Sequence, residues 1–265
     1  MTTLLVFLAF TAAFGPFHQI ALAGGKGEKD EKAEKAPLFS DPDVPDGMVL
    51  SYRSKIDEKA PFVKVVYTAK KLAGPEGPVY EVRSEAGDGN VVTMRLRAAD
   101  LRPLFVEKRN GSNQVVQTTA YGPEEVRLSL PQKGVTRTFP NSPDLYDQEA
   151  LFFAFLGFSF QEPGQAERRS NLRLFMGENG IHRMSVGVVA EEDVQVPAGE
   201  LATYKLEMVP EDLVGLIAAR FKTYFWYTRG PGRHGFVKFT FPAFNQISES
   251  LELPDWVQAP LRNGK

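Results

Sequence analysis

The sequence predicts a mainly β protein: a long antiparallel sheet, curled into a half-barrel or open barrel, around one buried apolar helix. Three observations predict it. Apolar and polar residues alternate with period 2 in run after run from Met48 to Phe241, and Gly-, Asn- and Asp-rich turns separate the runs. A single stretch, Leu145 to Phe158, breaks the alternation with an almost continuous apolar run. The supply of core side chains fits, with twenty Phe, eight Tyr and two Trp in 265 residues, because aromatics favour strands.

The chain opens with Leu4 to Phe14 (LLVFLAFTAAF), an apolar run broken by Gly15-Pro16 and followed by Ala21-Leu22-Ala23. That small-x-small pattern is the one signal peptidase reads, so residues 1–23 are expected to be a signal peptide and the remainder periplasmic or secreted. The competing reading is an uncleaved anchor, since Leu4 to Ala23 approaches membrane-spanning length; Gly15-Pro16 and the cleavage pattern favour removal. After cleavage no stable transmembrane segment is expected. Residues 24–47 alternate Lys26, Lys29, Lys32 and Lys35 with Glu28, Asp30, Glu31 and Glu34, with no large apolar residue before Leu38. Such a segment cannot bury enough surface to offset its ordering entropy and reads as a charged flexible linker. Residues 48–254 read as a single β-rich domain and 255–265 as a C-terminal tail.

Within the domain, strands are expected at Val49–Ser54, Phe62–Tyr67, Val79–Arg83, Val92–Arg97, Leu104–Lys108, Val115–Thr118, Val126–Leu130 and Val135–Phe139. Gly87-Asp88-Gly89-Asn90 and Asn110-Gly111 supply hairpin turns, since those residues tolerate positive φ. Ser142-Pro143-Asp144 then offers a helix start, and Leu145 to Phe158 follows as a helix apolar most of the way round. It is short for a membrane span and is placed inside the curve of the sheet. Strands resume at Asn171–Met176, Ile181–Val189, Val194–Val196 and Leu201–Val209. Phe221–Tyr227 and Phe236–Phe241 form a last aromatic hairpin, and Leu213–Ala219 is a short helix or wide loop. A split into two halves near residues 142–170 is the alternative architecture.

Composition excludes several chemistries. With no cysteine there is no disulfide, thiolate nucleophile, Cys-zinc site or lipidated N-terminus. The formal net charge of −2 gives no field for nucleic acid, and no nucleic-acid partner is expected. His182 and His234 stand outside metal-ligand spacings, so no metal is expected, and no G-x-S-x-G elbow exists. Glu124-Glu125, Glu191-Glu192 and Glu211-Asp212 are read as solvated turn residues, because a glycosidase needs carboxylates facing one another across a cleft. Gly230-Pro231-Gly232-Arg233-His234-Gly235 matches G-x-G-x-x-G, but a strand follows it where a dinucleotide site needs a helix. No catalytic residue and no cofactor is assigned. The best binding hint is the same hairpin, where Arg229, Arg233, His234 and Lys238 lie beside Tyr224, Trp226 and Tyr227, as a headgroup, phosphate or sugar would require; an ordinary polar edge is the plainer reading.

Glu192 to Leu206 (EDVQVPAGELATYKL) is two strands around a Pro-Ala-Gly turn. It resembles a signature strand pair in a family of exported bacterial domains of unknown function, with the pattern V-x-V/T-P-A-G-x-F/Y-x-A/T-x-K; Leu201 departs from its usual aromatic. Val44-Pro45-Asp46-Gly47 with the strand through Tyr52, Tyr146-Asp147 to Leu151-Phe152, and Trp226-Tyr227 with Val237-Lys238 look like the same family in the same order. The resemblance spans Val44 to about Phe241. It implies a sheet curled around a helix, similar to the LolA/LolB lipoprotein carriers, and no catalytic residues. The aromatic-rich sheet, the very apolar helix and the missing catalytic signatures lead to the expectation of a non-catalytic exported protein binding an apolar or amphipathic envelope component, with lipid, glycolipid or an envelope protein as partner. Phe152, Phe155 and Trp226 would line or plug its cavity, and Tyr224, Arg229, Arg233 and His234 would complete the ligand site. The alternatives are a scaffold of an envelope-assembly complex, its sheet filled by its own side chains, and an envelope hydrolase.

Overall fold

The computed structural model describes residues 37–160, 169–211, 220–230 and 233–257. Among these described residues, fifteen strands form one sheet: β1 Met48–Lys55, β2 Val63–Leu72, β3 Val79–Ala86, β4 Val91–Arg97, β5 Pro103–Arg109, β6 Val115–Tyr121, β7 Glu125–Leu130, β8 Val135–Pro140, β9 Leu145–Asp147, β10 Ser170–Phe175, β11 Ile181–Val196, β12 Gly199–Pro210, β13 Thr223–Thr228, β14 Phe236–Phe241 and β15 Gln246–Ser250. The expected mainly β, antiparallel architecture is what the chain adopts. The spatial order runs from β8 back through β7 to β1, then to β15 and on down to β9. Two meanders thus run outward from a shared centre, where β1 pairs antiparallel with β15 and Tyr52 faces Ser250. Among the described strands only β9 runs parallel to its neighbour, β10.

The outer ends of the two meanders meet through side chains. Val126, Leu128 and Leu130 of β7 pack with Leu145 and Phe175 from the other end of the sheet, Phe139 of β8 stands 5.2 Å edge-on to Phe175, and Lys133 pairs with Glu178. The halves left open by the sequence are joined twice, by the β1–β15 ladder and by this apolar seam.

Inside the curve lies the helical segment, shorter than the sequence suggests. Leu145–Asp147 is strand β9 rather than the first helical turn, because all three residues are buried and pair with Arg173–Phe175. Helical turns begin at Gln148 and end at Gly157, with one α turn, α1 (Leu151–Ala154), at their centre. The N-cap is Asp147, whose Oδ1 accepts the Glu149 N–H at 2.8 Å, as capping carboxylates do. Phe152, Phe153 and Phe155 project from this segment into the main core. Phe152 alone lies 5.0–5.9 Å from the rings of Tyr52, Phe225, Phe236 and Phe239, and the Tyr227 hydroxyl donates to the Phe152 carbonyl at 2.9 Å.

Three further differences concern boundaries. Residues 37–47, read with the linker, are part of the folded unit: Phe39 is fully buried against Tyr146 and Phe155, and Asp41 accepts hydrogen bonds from Lys71 and Tyr80, each at 2.6 Å. The two strands expected at 181–196 are one, with a bulge between Val188 and Ala190 that carries the chain through the polar stretch. The aromatic hairpin is not the last, since β15 follows it, and Val257 beyond is buried against Gly235. The leader, most of the linker, Leu213–Ala219, Pro231-Gly232 and 258–265 lie outside the described residues.

Candidate functional site: a polar chamber inside the barrel

The interior is apolar around Phe39 and Phe155 and polar at its opposite end. There the C-terminal end of β1, the N-terminal end of β15 and the start of the helical segment border a partly open cavity of about 40 Å³, lined by residues that include Tyr52, Ser54, Tyr67, Gln148, Glu149, Phe152, Phe225, Phe239, Gln246 and Ser248. A second void, of about 10 Å³, lies beside Phe152 and Phe153. A water needs roughly 10–15 Å³ measured this way, whereas pockets for organic ligands occupy ~300–1,000 Å³. The chamber has room for about three waters or a group of that size.

Local sequence explains why charge collects here. Tyr146-Asp147-Gln148-Glu149 passes from strand to helical turn, and the change of direction turns three polar side chains inward, each buried. Glu149 Oε1 accepts from Lys108 Nζ of β5 at 2.6 Å and from Gln148 Nε2 at 3.1 Å. Asp147 Oδ2 accepts the Tyr121 hydroxyl at 2.5 Å. Burial, then the neighbouring Glu149 charge, push the Asp147 carboxyl up to about 6, against the pull of Lys108 and its hydrogen bonds. Burial, then the Asp147 charge, hold the Tyr121 phenol well above its ordinary value. Two buried carboxyls therefore lie near one ammonium, which pairs with Glu149 and acts on Asp147 through space. The oxygens Gln148 Oε1 and Gln246 Oε1, both at the chamber, find no donor among the described residues.

The residues singled out in the sequence are divided by the fold. Phe152 lines the chamber. Phe155 is buried among Phe39, Phe158, Phe225 and Tyr227 as core. Trp226 does not line the cavity: alternation along β13 sends Phe225 and Tyr227 inward and Tyr224 and Trp226 to the outer face, into a separate cluster with Val194, Val196 and Val237. On that face Lys205 Nζ lies 5.0 Å and Lys238 Nζ 5.9 Å from the Trp226 ring, and the indole N–H donates to Glu192 at 2.6 Å. The cations of the hairpin tip are engaged by the chain itself. Arg229 pairs with Glu191 and Arg233 with Asp43 at 2.6 Å. His234 packs 4.3 Å from Phe160 and lies 2.8 Å through Nδ1 from the Thr228 carbonyl, with burial lowering its pKa.

The Pro-Ala-Gly hairpin, β11 with β12, explains its own signature. Its tip passes β10 and β13 and folds over the outer face, where Val194, Val196, Ala198 and Leu201 cover Trp226 and Ala198 N–H donates to the Ser250 carbonyl at 3.2 Å. What sequence reading missed is the chamber with Tyr52, Tyr67, Gln148, Glu149 and Gln246 in its wall, and the buried Lys108, Tyr121 and Asp147 behind it. The one available signal was Asp147-Gln148-Glu149 set inside the most apolar run of the chain, which demands buried partners.

Fold and interior define a barrel-like β protein closed on its own side chains, with a small charged chamber. The chain belongs to the family described as protein of unknown function DUF3108, whose model matches residues 57–243; the Pro-Ala-Gly hairpin lies within the match, the Val44–Gly47 opening before it. No curated protein matches the chain. Solved structures to which it is similar include a β-barrel-like protein of the DUF1849 family from Brucella abortus, 8% identical, covering 80% of this chain and 98% of that one at a TM-score of 0.39. Another is a Bacteroides fragilis protein with a YmcC-like fold, assigned as exported, 11% identical over 83% of this chain and 100% of that one, TM-score 0.32. A third, from Parabacteroides distasonis and assigned as a lipoprotein, is 11% identical over 82% of this chain and 98% of that one, TM-score 0.28. Among the described residues no helix is long and apolar enough to cross a membrane.

Proposed function

We propose that this is an exported, non-catalytic interaction protein of the cell envelope, working through its outer surface rather than by carrying a lipid inside. The observation that supports this reading is the filled interior. Phe152, Phe153 and Phe155 fill the middle of the sheet's curve, and the chamber beside them, of about 40 Å³, is roughly a tenth of an organic-ligand pocket. The export part rests on the leader pattern of residues 1–23. A hydrolase reading lacks support, since Asp147 and Glu149 stand two residues apart on one turn and face no cleft able to admit a sugar or ester.

The test is native mass spectrometry of the protein isolated from the envelope fraction, followed by extraction, alongside cross-linking in intact cells. The proposal expects a bare mass, indifference to added phospholipid, and a stoichiometric protein cross-link. A reproducibly co-purifying lipid or glycolipid would return the carrier reading to first place.

A further inference from the structure

We infer that the interior chamber is a binding site for a small primary ammonium group. Three independent observations converge on it. The first is a set of unmet acceptors. Gln148 is 7% exposed and its amide nitrogen is committed to Glu149, which fixes Oε1 as an acceptor with no donor among the described residues. Gln246 Oε1, across the chamber and at its half-buried rim, is in the same condition. A buried acceptor left unmet is destabilising, so two of them on one small chamber favour a guest that brings several donors.

The second observation is charge. Asp147 and Glu149 are two buried carboxyls, and the cation that balances them is Lys108, held by Glu149 at 2.6 Å. A monocation beside Glu149 completes that balance, which a neutral guest or water does not. The third is shape and surface. Phe152, Phe225 and Phe239 form the apolar wall of the chamber, and aromatic surface attracts a cation that has left water. A volume of about 40 Å³ takes an ammonium nitrogen with one or two carbons. A quaternary ammonium is both too large and without N–H donors. An –NH₃⁺ group has three donors, enough for Gln148 Oε1, Gln246 Oε1 and the Glu149 carboxylate.

The probe is methylammonium chloride, titrated into the full chain at constant ionic strength made up with NaCl, and read by thermal unfolding and calorimetry. Tetramethylammonium chloride is the size and donor control. The expected result is a saturable rise in Tm with methylammonium alone. Gln148→Leu, which keeps the volume and removes the acceptor, is expected to weaken it at least 10-fold, since a hydrogen bond to a charged group contributes about 1.5–3 kcal/mol. Gln246→Leu at the rim repeats the test if Gln148→Leu does not fold. The inference is overturned if methylammonium behaves as NaCl does, if tetramethylammonium acts equally, or if both leucine variants bind as the parent does. None of these outcomes bears on whether the outer surface holds a protein partner.

Discussion

Replacing Gly157 with alanine tests how the N-terminal segment is docked. Gly157 ends the helical segment, and Ser40 lies so close that a Cβ there would stand 1.9 Å from the Ser40 carbonyl oxygen and 3.0 Å from Leu101 Cδ1. Ordinary contact begins at 3.4 Å, so the two backbones must part. Gly157 is not among the glycines with positive φ, so alanine suits its conformation and the cost is collision alone. Parting the two backbones gives up the Ser40 N–H to Gly157 carbonyl bond of 2.9 Å, about 1 kcal/mol. It also lifts Phe39 out of full burial, about 1.5–3 kcal/mol. The sum is ~3 kcal/mol, or a fall in Tm of about 6–12 °C for a domain of this size. Thermal and urea unfolding measure it. Gly47→Ala, where φ is +73° and nothing lies within 4 Å, is the control and is expected to cost only about 1 kcal/mol. A Gly157→Ala protein melting within about 2 °C of the parent would refute the docking of residues 37–40 against the helical segment.

Lys108→Met leaves Glu149 buried without its cation and is expected to cost about 3–5 kcal/mol; Lys108→Met with Glu149→Gln should recover most of it, and urea unfolding of both decides. Asp147, raised to about 6 from 3.8, binds its proton more tightly folded than unfolded. Its contribution therefore favours folding below about pH 4 and is lost as pH rises through 6, a swing of about 3 kcal/mol. Asp147→Asn is expected to flatten stability between pH 4 and 6 and to raise it at pH 7, as pH-resolved unfolding will show. Glu192→Ala removes the acceptor of the Trp226 indole and should loosen the Pro-Ala-Gly hairpin, seen as red-shifted tryptophan emission and faster proteolysis near Pro197. The core melt should change by no more than about 1 kcal/mol.

The strands were legible because alternation records one buried face, as in β3, where Tyr80, Val82 and Ser84 point in and Glu81, Arg83 and Glu85 do not. The helix boundary was not. Leu145–Asp147 carries no local mark of strand, and only its pairing with β10, on the far side of a long connection, decides it. β15 (Gln246–Ser250) is a short polar-rich strand whose burial comes from β1, at the opposite end of the folded unit's sequence. Docking of 37–47 likewise depends on Lys71, Tyr80 and Gly157, none of them near in sequence. The site was least legible of all. Trp226 and its cations form an evident cluster in the sequence, yet period 2 divides that cluster between two faces. The chamber gathers Ser54, Glu149 and Gln246 from three distant segments, and the ammonium that pairs with Glu149 comes from a fourth, at Lys108; no spacing rule links them.

Pairing of β1 with β15 at the centre of the sheet sets an order of assembly. Until β15 has been delivered, β1 presents a bare ladder edge in the middle of the future sheet, and each half is an open sheet with an apolar face. A chain emerging N-terminus first would hold β1 to β8 in that state while β9 to β15 are still arriving, and such edges invite pairing with other chains. Closure over so long a loop makes folding slow. The same topology places the first and last strands side by side, with Leu251 N–H donating to the Ser51 carbonyl at 3.0 Å. A chain cut elsewhere and rejoined across that point would make its central ladder a local hairpin, and should fold the faster for it.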